Sequence, residues 1–467
     1  MKTRFYFSIV AMLFAALTAS AEDFMYNGLA YSIVAFQQVE VTKPTGGYTS
    51  LGGDLVIPKT VYNGGTTYSV TIIGEEAFRK CTAITSVTIP SLVKIIKRGA
   101  FEQCTNLATI NFDQNGALEE ILTQAFWGTA ITSVTIPGEV KKISTSTFAH
   151  CPRLTTVKLP NEMEELGSSV FQECPNLKVV NLPEGIEYIR SSLFYGCTSL
   201  KSVTIPKSVR VIDNSAFANS GLTSITIPSN VEKINGLAFS ECKNLTTVTI
   251  PSTVTEIESL LFKDCTGLTS VKIQNNKISG SQFKGCTSLK TVTIGSNVNS
   301  FYANNSSFAG CPIETLNVGC NLAANIALYS DTKSTLKTLN LTDGVTEVPE
   351  SAFEGCSELA TVTLPSGLKS IGNAAFRNCT RMGDLYAKMV KPFAIDASVF
   401  SGVQQHGYCD LHVPQGSKVR YSAMEVWKEF TIITEDAGSG SKRGDVNNDG
   451  DVTIADVVAV LNIMAGN

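Results

Sequence analysis

Short runs in which branched apolar residues alternate with threonine and serine recur along the chain: "LTSITIP" at 222–228 is followed by "LTTVTIP" at 245–251. Phenylalanines mark the same period, standing at 78, 101, 126, 148, 171, 194, 217, 239, 262, 283, 308, 353, 376 and 400, at intervals of 21 to 25 residues apart from one of 45. That longer interval holds a degenerate copy, "IETLNVGCNLAANIALYSDTKS", with Tyr329 near the missing phenylalanine position. About fifteen copies result, each reading approximately L-x-x-V-x-I-P, a polar pair, V-x-x-I, then A-F-x-x-C.

A unit of 22–23 residues is too small to bury its own apolar face, so the copies must stack on one another as a solenoid. Period-two alternation makes each L-x-x-V-x-I a short strand. Nine copies close on Ile-Pro or Leu-Pro, as at Ile89-Pro90, Ile205-Pro206 and Leu364-Pro365, and a residue without an N–H suits a strand end better than a ladder interior. The predicted fold class is a β-rich solenoid of about 15 coils, with short parallel strands stacked at about 4.8 Å into a column of roughly 70 Å. Strand alternation turns the residue between the last two apolar positions outward. Down the stack that column reads Thr88, Asn111, Thr135, Lys158, Asn181, Thr204, Thr226, Thr249, Lys272, Thr293, Asn317, Asn340 and Thr363, a polar stripe almost free of aromatics. Two readings stand: threonine is favoured on strands, so the stripe is a solvated face, or its hydroxyls and amides dock an extended partner, a protein rather than a glycan because no aromatic platforms are present.

Eleven of the thirteen cysteines lie three residues after a repeat phenylalanine, at 81, 104, 151, 174, 197, 242, 265, 286, 311, 356 and 379. Export favours disulfides, but the total is odd and Ser220 replaces the cysteine after Phe217, so a column of buried thiols packing as small apolar residues is expected, with bridges between coils the alternative. His150, His406 and His412 show no zinc-ligand spacing.

The chain has 467 residues, 43% of them hydrophobic, and a formal charge of −4, with no basic run beyond the N-terminus, which argues against a nucleic-acid partner. The first 21 residues, "MKTRFYFSIVAMLFAALTASA", carry Lys2 and Arg4, an apolar run and a terminal Ala19-Ser20-Ala21, the shape of a cleaved export signal. No later stretch reaches the roughly 20 apolar residues of a membrane helix, so a secreted or surface-held protein is expected. Catalysis is not expected: no Gly-x-Ser-x-Gly elbow or phosphate loop is present, and acidic pairs such as Glu119-Glu120 and Glu164-Glu165 fall at variable repeat positions.

The repeat, carried by copies such as "CTSLKSVTIPKSVRVIDNSAF" at 197–217, resembles the BspA-type leucine-rich repeat family of bacterial surface proteins over about residues 55–401. In the same comparison "FMYNGLAYSIVAF" at 24–36 looks like an N-terminal cap and "LHVPQGSKVRYSAMEVWKEFTII" at 411–433 like a closing segment. The resemblance implies a secreted or surface-exposed binding protein, with members acting as adhesins for host matrix or plasma proteins and for other cells. The expected organisation is signal peptide 1–21, N-terminal cap 22–54, repeat solenoid 55–401, C-terminal cap 402–435, linker 436–443 and a last segment 444–467.

That last segment, "GDVNNDGDVTIADVVAVLNIMAGN", places Asp445, Asn447, Asp449, Asp451, Thr453 and Asp456 at positions 1, 3, 5, 7, 9 and 12 of a calcium loop, with Gly450 at the sharp turn. Asp451 would ligate through its backbone carbonyl and Thr453 directly or through water. A loop followed by one helix and preceded by a linker resembles one half of a type I dockerin, whose usual tandem pair binds a cohesin module. Only one copy is present, and its apolar side, Ile454, Val457, Val458, Leu461 and Met464, has no second helix in the chain. The resemblance assigns cohesin contact to Ile454 and Ala455. A non-adhesive scaffold or spacer, attached through such a tail, is the competing function.

Overall fold

A computed structural model of the chain describes residues 22–436 apart from 276, 279, 297–299, 304–306, 323–329 and 406. The predicted signal peptide, Tyr329, His406, the calcium loop and the expected linker apart from Asp436, which ends a strand instead, lie outside the described residues. The fold is a parallel-strand solenoid of about fifteen turns. It divides into two compact units, residues 1–208 and 209–467.

The first unit opens with antiparallel strands Phe24–Tyr26 and Leu29–Ala35, joined at Asn27-Gly28, both with positive φ. This is the asparagine-glycine hairpin turn whose twist matches that of its strands. Strand Gln38–Thr42 pairs back on Leu29–Ala35 and passes to parallel pairing with Thr66–Ile73, which starts one column of short strands: Ile95–Ile96, Glu120–Ile121, Lys142–Ile143 and Glu165–Leu166. The L-x-x-V-x-I segments form a second column, in which Gly53–Val56, Ile84–Ile89 and Thr109–Phe112 make one parallel set and Ser133–Thr135, Thr156–Lys158 and Val179–Val180 another. Inward residues such as Val87, Val134 and Val157 are buried and the intervening ones are not, as period-two alternation requires.

In the second unit nine parallel strands run from Thr247–Ile250 through Ser270–Ile273, Thr291–Ile294, Thr315–Val318, Thr338–Leu341, Thr361–Leu364, Asp384–Ala387 and Asp410–Pro414 to Ile432–Asp436. The closing segment therefore contributes two further rungs to the repeat sheet. Between them a short helix, Lys418–Ser422, and a 3-10 turn, Trp427–Glu429, carry buried Tyr421 and Trp427. Trp427 and Phe430 meet Phe400 edge-on at 5.8 and 5.3 Å, and Trp427 Nε1 donates to the Phe393 carbonyl at 2.9 Å. A large ring whose polar atom has a partner closes the apolar column without leaving a buried donor unpaired. The segment 222–228 departs from the expected strand: it makes only the isolated bridge Ser224–Thr247, although Ile225 and Ile227 stay buried, so side-chain packing rather than a ladder sets its place.

Phenylalanine is the spine of each coil. In the first unit Tyr48, Phe78, Phe101, Phe126 and Phe148 stack successively at 5.4, 5.1, 5.2 and 5.4 Å, and in the second Phe217, Phe239, Phe262, Phe283 and Phe308 at 5.3, 5.4, 5.4 and 5.2 Å. The turn that delivers most of these rings uses left-handed backbone two residues before it and two after: Glu76 and Lys80 about Phe78, Gln124 and Gly128 about Phe126, Leu237 and Glu241 about Phe239. Alternate amides of this turn donate to the next coil, as when Glu76, Phe78 and Lys80 N–H groups reach the carbonyls of Arg98, Ala100 and Glu102 at 2.8–2.9 Å. Those bonds hold non-glycine residues in a conformation that costs each about 1 kcal/mol.

Candidate functional site

The outward column is the surface on which the repeat places one side chain per coil at strand spacing. Register joins Thr88 to Asn111 and Thr135 to Lys158 in the first unit, and Thr249 to Lys272, Thr293, Asn317, Asn340 and Thr363 in the second. Of the predicted residues Asn111, Thr135, Lys158, Asn181, Thr204, Thr226, Thr249 and Lys272 are exposed, while Thr88 and Thr293 are half-buried. Thr226 lies on the bridge-only segment just described, and Thr204 on a segment, 200–206, that is likewise outside the strands. Asn181 differs: its Nδ2 donates to the Leu159 carbonyl and its Oδ1 accepts from the Leu159 N–H, both at 2.9 Å. Its amide replaces a missing rung of backbone pairing and is spent on the fold.

From Thr293 onward the column becomes a side-chain ladder. Asn317 Nδ2 donates to Thr293 Oγ1 at 3.1 Å, Asn340 Nδ2 to Asn317 Oδ1 at 2.8 Å, and Thr363 Oγ1 to Asn340 Oδ1 at 3.3 Å. Each amide keeps a second donor hydrogen and acceptor capacity for solvent or a partner. Because the ladder already fixes these rotamers, a partner would find them preorganised.

The stripe does not end at Thr363, nor does it stay free of aromatics. Register carries it to Tyr386, His412 and Thr434, and the Tyr386 and His412 rings stack at 4.3 Å. His412 Nε2 lies 3.2 Å from Asp384 and Nδ1 3.3 Å from Asp436. The Tyr386 phenol is pushed up by burial and by the Asp384, Asp436 and Asp410 carboxylates. "DLYA" and "DLHV" stand where other copies read "TVTI", and the D-L start is the signal that would have extended the column.

Two depressions open on the stripe within the second unit. One, of about 270 Å³, is lined by Lys272, Gln274, Thr293, Ser296, Asn317 and Thr342 with Gly295 and Gly319 in its floor. The other, of about 480 Å³, is lined by Thr226, Thr247, Thr249, Pro251 and again Gln274. Strand-ending proline is absent from four consecutive copies here, where Gln274, Gly295, Gly319 and Thr342 follow the last strand residue.

The cysteine column is structural. All the described cysteines are free thiols, and twelve are buried. Nine donate Sγ–H to the carbonyl of the preceding coil's phenylalanine, for example Cys104 to Phe78, Cys174 to Phe148, Cys197 to Phe171 and Cys265 to Phe239, each at 3.1 Å. Burial pushes the Cys104, Cys197, Cys356 and Cys409 thiols up to about 12 and Cys242 to about 11. A thiol held protonated is a poor nucleophile and metal ligand. Among the described residues no group of three or more His, Cys, Asp or Glu side chains is placed to hold a metal, and no helix is long and apolar enough to cross a membrane. Asp445, Asn447, Asp449, Asp451, Thr453, Asp456, Ile454 and Ala455 lie outside the described residues.

Residues 71–201, 119–242, 211–329 and 324–412 each match the family model described as a BspA type leucine-rich repeat region of six copies. Among solved structures, a leucine-rich repeat protein from Bacteroides ovatus is 24% identical over 89% of this chain and 100% of its own, with a TM-score of 0.53. A leucine-rich cell surface protein from Faecalibacterium prausnitzii is 23% identical over 89% and 98%, with a TM-score of 0.40. The pneumococcal vaccine antigen PcpA is 16% identical over 89% and 98%, with a TM-score of 0.27. No curated protein matches.

Proposed function

Because this chain belongs to the BspA-type leucine-rich repeat family, we propose that it is an exported bacterial surface or secreted protein whose strand face docks other proteins, host matrix or plasma proteins or proteins of another cell surface. The observation that carries the reading is the continuous outward column of the second unit, from Thr249 to His412, with its preorganised amide and hydroxyl ladder. A surface that gains one side chain per copy grows with the number of coils, and such extended faces are how solenoids grip large partners. The first 21 residues support export.

The second component of the reading is calcium. The donor set of Asp445, Asn447, Asp449, Asp451, Thr453 and Asp456 is all oxygen, as a hard divalent cation requires. We assign it calcium binding and a dockerin-like attachment to a cohesin-like module through Ile454 and Ala455. This segment also sustains the alternative reading, a scaffold or spacer whose only partner is met through the tail.

One experiment separates them: binding of residues 22–467 and of residues 22–435 to immobilised fibronectin and fibrinogen, with calcium and with chelator. Calcium-independent binding kept by the shorter protein is the expected result and places docking in the solenoid. Absence of binding by both, or loss with the tail, transfers the function to the attachment segment. Calorimetric calcium titration of the same two proteins reads the metal assignment directly, and heat of binding by the longer one alone is expected.

A further inference from the structure

We infer that the two depressions of the second unit are one continuous groove that seats an acidic, extended peptide segment of the partner, with Lys272 as the charge that selects it. The inference rests on the proposed protein-docking role and gives that role a place and a chemistry.

The smaller half of the groove is built by a run of departures from the repeat, the larger half over copies that keep their proline. Gln274 lines both depressions and joins them. The lining then touches six successive coils, at Thr226, Thr249, Lys272, Thr293, Asn317 and Thr342. Five steps of about 4.8 Å give about 24 Å, the length of about seven residues of extended chain. Along the smaller depression Gln274, Gly295, Gly319 and Thr342 stand where other copies put a proline ring, as at Pro228 and Pro365, and the absent rings leave it open, while Pro251 stays in the lining of the larger one. The two glycines admit the backbone of the preceding coil. The floor is itself tightly drawn, since a Cβ on Gly319 would stand 2.8 Å from the Ser296 nitrogen.

Its chemistry is polar and one-signed. Gln274, Ser296, Asn317 and Thr342 supply amides and hydroxyls, which pair with peptide N–H and C=O groups in either direction. No aromatic side chain lines either depression, so a sugar ring would find no stacking platform. Lys272 is the one charged residue in the lining, and its side chain makes no ion pair or hydrogen bond among the described residues. A cation with no internal partner is complementary to a carboxylate-bearing segment and repels a basic one.

The test uses the protein of residues 22–467 with fluorescein-labelled poly-glutamate, poly-lysine and heparin as probes, read by fluorescence anisotropy. Poly-glutamate is expected to bind at low salt and to weaken as salt is raised, poly-lysine not to bind. Lys272→Glu should lower poly-glutamate affinity at least about tenfold through like-charge repulsion, whereas Lys178→Glu, an equal charge change at an exposed lysine of the first unit, should leave it within about twofold. Lys272 is exposed on a strand, so circular dichroism should show both variants folded. Equal loss in the two variants, no loss in Lys272→Glu, or binding of heparin without poly-glutamate overturns the inference, the last in favour of an acidic glycan. Should fibronectin or fibrinogen binding by residues 22–435 survive Lys272→Glu unchanged, solenoid docking stands and this groove is not its seat.

Discussion

Raising the pH above the ordinary thiol range should unfold this protein through its cysteine column, and one column member suffices to test the reasoning. Cys197 is fully buried, donates to the Phe171 carbonyl at 3.1 Å, and is pushed up to about 12 by burial. An unfolded cysteine titrates near its ordinary value, so between about pH 9 and 12 the folded state holds a proton the unfolded state has lost. Stability from this group is therefore fully present below about pH 9 and falls as pH rises, at about 1.4 kcal/mol per unit for each such thiol. Serine keeps the donor and does not ionise in this range, and the fold already accepts hydroxyls here: Thr129 Oγ1 donates to the Phe126 carbonyl at 3.0 Å, and Ser220 Oγ lies 3.3 Å from the Cys242 thiol. Urea unfolding of the parent and of Cys197→Ser, followed by circular dichroism at pH 8 and pH 10, should show the stability difference shifting by about 1.4 kcal/mol in favour of serine at the higher pH. Parallel pH dependences would refute the account, because they would mean that the folded protein ionises this thiol as readily as the unfolded chain does.

Three further outcomes follow from the spine and its turns. Phe262→Ala should cost about 3–5 kcal/mol, since a buried ring stacked at 5.4 Å on both Phe239 and Phe283 leaves a cavity in a column that cannot close around it; hydrogen exchange should show protection lost first in the coils on either side. Glu241→Gly should stabilise by up to about 1 kcal/mol in thermal unfolding, because Glu241 is exposed at φ +58° and Gly128, Gly196 and Gly355 already occupy the same turn position. Gly344→Ala should destabilise by at least about 2 kcal/mol in the same assay, since its Cβ would overlap the Gly319 carbonyl oxygen, a backbone atom with no rotamer to escape into.

The legible part of the candidate site was the part set by alternation. Thr135, Lys158, Thr249 and Lys272 are outward because Val134, Val157, Val248 and Val271 are inward, and a one-residue slip would bury the polar set. Missed were the residues whose meaning depends on the coil next door. Asn181 reads as another outward amide until Leu159, 22 residues earlier, is seen to take both its hydrogen bonds. His412 reads as part of a closing segment, and Tyr386 lies in the repeat region past the end of the stripe read from the sequence, until register lays both on it and stacks their rings. The loss of four successive prolines is visible in the letters, but that a depression lies over them and shares Gln274 with the next is not.

By itself the sequence determined the unit, its length, which residues face in and the need to stack, because strand alternation and the burial of one phenylalanine per 22–23 residues are local demands that each copy states alone. Only the tertiary structure decided where the thiol protons go, which outward side chains are consumed by the ladder, and where the face is hollow. Those outcomes depend on pairs separated by a full coil, and what brings such pairs within hydrogen-bond reach is the rise from one coil to the next, a property of the stack that no single copy contains.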